Sequence, residues 1–141
     1  MVATGREWWQ TRWFHAAAIA CAGVPLLWPA IPPLTDLPGH LARYRVMLDG
    51  GDGPLAQWYD FRWRVVGNLG VDILVAALAP LLGLDPAVKL VTVAIPCLTV
   101  IGSLALSKAA HGRVSAYALV ALPLAYSQPF HMGFLNFALA M

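Results

Sequence analysis

The chain has 141 residues, of which 60% are hydrophobic and only 11% are charged, and its mean hydropathy is +0.67. This composition excludes an ordinary water-soluble domain and indicates a membrane protein. Nine Lys and Arg against seven Asp and Glu give a net charge of +2 without a basic run, so no nucleic-acid partner is expected. Because the apolar character continues to Met141, we expect the sequence to be the N-terminal fragment of a longer protein.

Apolar runs predict an all-α, polytopic protein with a juxtamembrane amphipathic helix in its first outer loop, since about 20 apolar residues cross a bilayer as a helix. If 65–84 does not cross, Lys108 and Arg113 lie on the cytoplasmic side, as the positive-inside tendency favours. The predicted segments are crossing helices at 14–34, 88–108 and 114–127, an outer loop at 35–64, a short crossing or juxtamembrane helix at 65–84, and the start of a further helix at 130–141.

The outer loop begins with a predicted helix over 36–49. Thr35 or Asp36 can cap this helix, and the glycine-rich turn at 50–54 ends it. Helical spacing places four residues on one apolar face, which we expect to lie on the membrane surface: Leu37, Leu41, Tyr44 and Leu48. By the same spacing Asp36, His40 and Arg43 share the neighbouring stripe.

Asp36 and His40 are the candidate catalytic residues of this stripe. Asp36 is either an ordinary helix cap or a carboxylate that accepts a proton or holds a divalent cation at the membrane boundary. His40 lies one turn away, where it can be oriented by Asp36 or serve only as a surface residue. The Asp36–His40 pair lacks the third ligand of a metal site, so it is a weak metal motif. Asp36 is the only candidate metal ligand.

Four arginines, Arg43, Arg45, Arg62 and Arg64, are candidate phosphate-binding residues, because guanidinium groups match phosphate oxygens. Attachment to anionic lipid headgroups explains them equally well. The stretch 57–66 that holds the last two alternates aromatic and charged residues. It is either an extended interfacial segment or a helix in which Asp60 pairs with Arg64.

Four further polar residues lie in or beside apolar segments, and they are candidate cavity-lining groups: Asn68, Asp72, His131 and Asn136. An ionisable residue such as Asp72 within an apolar segment is a functional candidate, unless that segment lies in the wet interface. A helix through this stretch would place Asn68 and Asp72 on one face. His131 and Asn136 either face a polar cavity or form hydrogen bonds between helices.

Several motifs together resemble an uncharacterised family of bacterial multi-pass membrane proteins. The motifs are Pro-Pro-Leu-Thr-Asp-Leu-Pro-Gly-His-Leu-Ala-Arg at 32–43, Trp-Tyr at 58–59, Asn-Leu-Gly-Val-Asp at 68–72 and Met-Gly-Phe-Leu-Asn-Phe at 132–137. That family is in turn loosely similar to GT-C glycosyltransferases, which take a sugar from a polyprenyl-phosphate donor. The resemblance matches Asp36 to the loop carboxylate of that class, and Lys108 with Arg113 to its basic cytoplasmic turn. Leu37 stands where the class usually has a second acidic residue.

The resemblance implies a GT-C-like glycosyltransferase that works at the outer face of the bacterial inner membrane, with membrane lipid and a polyprenyl-phosphate-linked sugar as partners. The competing interpretation is a non-enzymatic multi-pass membrane protein, such as a transporter segment or an assembly factor. In that protein Asp72, His131 and Asn136 would line a path or a helix contact.

Overall fold

A computed structural model describes residues 7–50 and 52–141, and all regular elements in these ranges are helical. The prediction of an all-α protein is therefore confirmed for the described part of the chain. The α-helices are α1 (Arg12–Leu27), α2 (Leu37–Leu48), α3 (Gly70–Leu82), α4 (Leu84–His111), α5 (Ala121–Leu124), α6 (Gln128–His131) and α7 (Leu135–Ala140), with 3-10 turns at Trp8–Gln10 and Ala116–Val120.

Helices α1 and α4 pack as an antiparallel pair that is held at both ends. Before α1, the Gln10 side chain accepts a hydrogen bond from the Val114 amide, which follows α4, at 3.2 Å. At the other end, the ammonium group of Lys89 donates to the carbonyls of Leu27 and Pro29 at 2.8 and 2.7 Å. These carbonyls lie at the negative end of α1, where a cation is favourable.

Helix α3 folds back along the first half of α4, and α2 and α7 pack against this hairpin. A single residue, Gly83, connects α3 to α4 with φ +87°, a backbone conformation that glycine adopts readily. The main core contains Leu37, Tyr44, Met47, Val71, Val75, Ala79, Ala87, Val88, Val91, Ile95, Phe130, Leu135 and Ala138. This core joins α2 to the helices around it.

The apolar face of α2 packs on protein, so the prediction that it lies on the membrane surface is wrong. The helix occupies Leu37–Leu48, against the predicted 36–49. Leu37, Tyr44 and Met47 are buried against the core, whereas Leu48 is 38% exposed. Hydrophobic spacing identified a buried side of the helix, but this spacing is the same whether protein or lipid covers that side.

Of the helices in the described ranges, only α4 is long and apolar enough to cross a membrane. It has 28 residues, or about 42 Å at 1.5 Å per residue, and it contains the predicted crossing at 88–108. Only 33% of its most apolar window is buried in the protein, and Leu98, Ile101 and Leu106 are exposed. A core helix of a soluble protein would bury this surface, so the exposed face favours contact with lipid.

The other predicted crossings are shorter or interrupted in the structure. Helix α1 ends at Leu27 and not at residue 34, because the prolines at 29, 32 and 33 have no amide to continue it. Helix α3 begins only at Gly70, and its 13 residues span about 20 Å, less than a bilayer core.

The last two predicted segments are also corrected. The stretch 114–127 is a 3-10 turn followed by the four-residue α5, because Pro123 cannot donate the helical hydrogen bond. The stretch 130–141 is divided between α6 and α7 at Gly133, where φ is +90°. Between α2 and α3, residues 59–69 form neither helix nor strand.

Candidate functional site

Two separate loops meet at the start of α2. The amides of Thr35 and Asp36 donate to the carbonyls of His131 and Met132, both at 3.1 Å. Gly133 makes this approach possible, because a Cβ atom at that position would lie 3.0 Å from the Asp36 nitrogen. Backbone contacts therefore fix Asp36 against the segment that links α6 to α7. We call residues 35–36 and 131–133 the docked loops.

Asp36 begins α2, but its carboxylate does not cap that helix. Its backbone carbonyl accepts the first helical hydrogen bond from the His40 amide at 3.0 Å, while its side chain makes no capping hydrogen bond. The residue is exposed, as is His131 across the docked loops. Capping therefore does not account for the carboxylate in this structure, and its oxygens are open to a ligand.

His40 does not form the predicted side-chain pair with Asp36. Its half-buried ring instead stacks on Tyr44, with 5.9 Å between ring centroids and 18° between ring planes. The two predicted catalytic residues thus share a helix end and a backbone hydrogen bond only.

Arg43, Asp72 and Asn136 meet where α2, α3 and α7 converge, and we call them the carboxylate cluster. One Asp72 oxygen lies 2.5 Å from the Arg43 guanidinium, and the other accepts from the Asn136 amide at 3.3 Å. The Asp72 side chain is 3% exposed and that of Arg43 is 46% exposed. Asp72 also lies in the first turn of α3, where the helix dipole favours a negative charge.

Asn136 supplies the cap that α3 lacks locally. Its side-chain oxygen accepts the Val71 amide at 2.7 Å, one of the helix-start amides without a partner inside the helix. The same side chain donates to Asp72, so it satisfies one donor and one acceptor of α3. The prediction that Asn136 forms a hydrogen bond between helices describes this arrangement.

Tyr44 lies next to Arg43 of the carboxylate cluster and is fully buried. The Arg43 guanidinium is 5.3 Å from the centre of its ring. Its hydroxyl forms no hydrogen bond with the described residues. Burial, and secondly the negative charge of Asp72, raise the pKa of Tyr44, and the neighbouring Arg43 opposes this shift.

The four predicted phosphate-binding arginines have different surroundings. Arg43 pairs with Asp72, and Arg62 pairs with Asp60 at 2.8 Å on the surface. The helical pairing of Asp60 with Arg64 is therefore not formed. Arg45 and Arg64 are exposed and make no ion pair within residues 7–50 and 52–141. They are the two arginines of the set that remain open to a phosphate.

Asn68 does not share a helix face with Asp72, because α3 begins after it. It is exposed and has a left-handed backbone, with φ +65°. Sequence reasoning selected Arg43, Asp72 and Asn136 separately but missed that they form one cluster. The available signal was an acidic residue in an apolar run, which requires a partner of opposite charge.

The described residues contain no group of three or more His, Cys, Asp and Glu side chains that could hold a metal ion. Asp36 alone therefore lacks the several oxygen ligands of a Ca²⁺ site, whereas Mg²⁺ is commonly held by one or two carboxylates together with the phosphates of a substrate.

No protein-family description, curated protein or solved structure matches this chain. The resemblance to GT-C glycosyltransferases stays a prediction.

Proposed function

We propose that the chain forms a membrane domain of a GT-C-like glycosyltransferase, a multi-pass protein of the bacterial inner membrane with a polyprenyl-phosphate-linked sugar as donor. Asp36 is the proposed general base at the outer face. The observation that carries this proposal is the free Asp36 carboxylate, which is exposed and does not cap α2. A general base needs a fixed position together with an open oxygen, and Asp36 has both.

The docked loops supply the fixed position. Two backbone hydrogen bonds of 3.1 Å hold residues 35 and 36, so the position of the carboxylate does not depend on its own side-chain contacts. In the transfer step, Asp36 accepts the proton of an acceptor hydroxyl while that oxygen attacks the anomeric carbon. The bond between this carbon and the phosphate oxygen breaks, and polyprenyl phosphate leaves.

Arg45 and Arg64 are the proposed phosphate-binding residues, because their guanidinium groups are exposed without an ion pair in the described ranges. Guanidinium groups near the leaving phosphate stabilise its developing charge. Arg43 is assigned a structural role, since Asp72 already occupies it. His40 is assigned a packing role on Tyr44.

The carboxylate cluster favours a second candidate, a non-enzymatic multi-pass membrane protein such as a transporter segment or an assembly factor. A buried ionisable residue beside apolar helices is common where a membrane protein moves an ion or joins its helices. Asp72 fits this description, because its side chain is 3% exposed and bound to α2 and α7 partners. In this candidate Asp36 has no chemical role.

Replacing Asp36 by Asn in the complete protein separates the two candidates. We expect sugar transfer from a radiolabelled polyprenyl-phosphate sugar in membrane vesicles to fall by roughly 100-fold or more, as for loss of a general base. Asp52→Asn is the matched control, since Asp52 is an exposed carboxylate of the same outer loop. Full transfer by the Asp36→Asn protein at normal expression would contradict the proposal.

The side of the membrane gives an independent check. Reporter fusions in the turn at 49–54 should report the outer face, where polyprenyl-linked sugars are used in this proposal. A cytoplasmic signal there would favour the non-enzymatic candidate.

A further inference from the structure

We propose that the cavity at the opposite end of the helix pair, where α1 begins and α4 ends, binds an anionic phospholipid. This cavity has a volume of about 1010 Å³ and is lined by residues from both helices and the turns beside them. Ligand pockets usually have roughly 300–1,000 Å³, so the space is sufficient for a sizeable molecule. The proposal requires α4 to lie in a membrane, but it does not require transferase activity.

The lining of the cavity carries positive charge. It includes Arg12, Lys108 and Arg113. Glu7 offsets one of these charges, because it lies 3.5 Å from Arg113. Arg12 and Lys108 form no ion pair with the residues that the structure describes. Two uncompensated cations thus face the same cavity.

The positive charge of Arg12 interacts unfavourably with the dipole of α1. It is the first residue of α1, and the start of a helix carries a partial positive charge. Lys108 differs, because it lies in the last turn of α4, where a cation is favourable without any ligand. The helix dipole therefore explains Lys108 but not Arg12. An anionic group in the cavity would interact favourably with both.

Part of the cavity lining is apolar. It contains Ile19 of α1 and Ile101, Leu104 and Ala105 of α4, beside polar groups at Gln10, Thr11 and His15. A ligand with a negative charge next to a hydrocarbon chain would match both the cations and the apolar part. Phospholipids have this combination, and basic pockets between membrane helices are known to hold anionic headgroups.

Two tryptophans at this end of the helix pair are exposed, as expected at a membrane interface. Trp13 is 74% exposed and Trp8 is 64% exposed, and the Arg12 guanidinium lies 5.4 Å from the centre of the Trp13 ring. Tryptophan is enriched where headgroups meet the hydrocarbon core. A phosphate at the level of Arg12 would therefore lie at the depth that lipid phosphates occupy.

The test compares lipids on the full chain purified in neutral detergent. We expect phosphatidylglycerol to bind and raise the thermal midpoint, and phosphatidylcholine to do so much less. Arg12→Gln together with Lys108→Gln should weaken phosphatidylglycerol binding by roughly tenfold or more, measured by native mass spectrometry. Arg12→Lys together with Lys108→Arg keeps both charges and should bind like the original chain.

A second pair of variants tests the cavity itself without a change of charge. Ala105→Phe places a ring into the lining and should reduce lipid binding, whereas Ala109→Phe, an exposed position one turn further along α4, should not. Equal binding of the two lipids, or unchanged binding by the Arg12→Gln/Lys108→Gln protein, would overturn the proposal. Equal stabilisation by glycerol phosphate would assign the cavity to a soluble phosphate and overturn the lipid assignment. Sugar transfer is not measured, so these results stand apart from the role of Asp36.

Discussion

Asp36 and Asp72 are both carboxylates at the start of a helix, but their surroundings are opposite. Asp72 is buried, and both of its oxygens bind partners, the Arg43 guanidinium and the Asn136 amide. Asp36 is exposed, and its side chain makes no capping bond to the helix that it begins. Backbone hydrogen bonds, and not side-chain contacts, hold it in place.

The difference separates a carboxylate used for structure from one available for chemistry. A buried carboxylate that is paired with a guanidinium stabilises the fold, and its burial keeps a substrate away from the lone pairs that remain. A carboxylate that is positioned by backbone contacts remains free to accept that proton. Substitutions in the carboxylate cluster should therefore affect stability, whereas substitutions in the docked loops should affect the proposed sugar transfer.

The largest expected loss of stability comes from Arg43→Ala. It leaves the Asp72 charge buried without its cation, which costs about 3 kcal/mol, the low end for a broken buried pair because Arg43 is half exposed. Asp72→Asn should cost less, about 1 kcal/mol, because the remaining Arg43 can turn into water. Thermal and denaturant unfolding in detergent measure both changes.

The double replacement sharpens this expectation. Arg43→Ala combined with Asp72→Asn removes both charges, so the double variant should be more stable than Arg43→Ala alone. Simple addition of the two single effects would show that the pair contributes no coupling. In that case Asp72 would resemble Asp36, and the contrast between the two carboxylates would fail.

The next effect concerns the docked loops. Gly133→Ala adds a Cβ atom 3.0 Å from the Asp36 nitrogen at a residue with φ +90°, so the loops must separate or strain. We expect a cost of about 1–2 kcal/mol and a loss of sugar transfer, because Asp36 moves. The readouts are thermal unfolding and the vesicle transfer assay.

Gly112→Ala is the matched control for Gly133. Gly112 has φ +70° but open space around its added Cβ, so it reproduces the backbone strain without the contact. Transfer should persist in this variant. Equal loss of transfer in the two glycine variants would mean that the docking of Asp36 is not needed.

The sequence predicted those features that depend on nearby residues. The apolar runs indicated an all-helical protein, and the cap and glycine signals around 35–54 placed a helix close to the observed α2. Pro29 also carried a local stop signal, but the apolar run continued past it and the prediction extended the helix to residue 34. The weight given to hydrophobicity over proline chemistry caused this error.

Contacts between distant residues were beyond sequence reasoning. Nothing local shows that Arg43 turns to Asp72, or that Asn136 caps α3, because these partners come together only when three helices pack. Hydrophobic spacing likewise identified the buried side of α2, but it did not show whether protein or lipid packs on that side, since both require the same pattern. Sequence alone also could not show that the Asp36 side chain makes no capping hydrogen bond, because Asp is a common capping residue.

The smallest expected effect is that of Tyr44→Phe, which tests whether the packing next to the carboxylate cluster is dry. The Tyr44 hydroxyl is buried without a hydrogen bond to the described residues, so its removal should be neutral or stabilise the protein by up to about 1 kcal/mol at pH 7. Burial raises the pKa of Tyr44 above its ordinary value of 10.0. The folded state thus favours the neutral phenol, while the unfolded chain ionises at lower pH.

This shift fixes the direction of the pH dependence. Below pH 10 the phenol is neutral in both the folded and the unfolded chain, so the shift does not affect stability there. The free energy of unfolding falls as the pH rises from 10 through the folded-state pKa, because the unfolded chain ionises first. Thermal unfolding of the original chain and of Tyr44→Phe between pH 7 and 11 should show this loss only in the original chain. Parallel curves for the two proteins would mean that water reaches the phenol through open packing around Tyr44. Water there would also give Asp72 a route to solvent and bring its surroundings closer to those of Asp36.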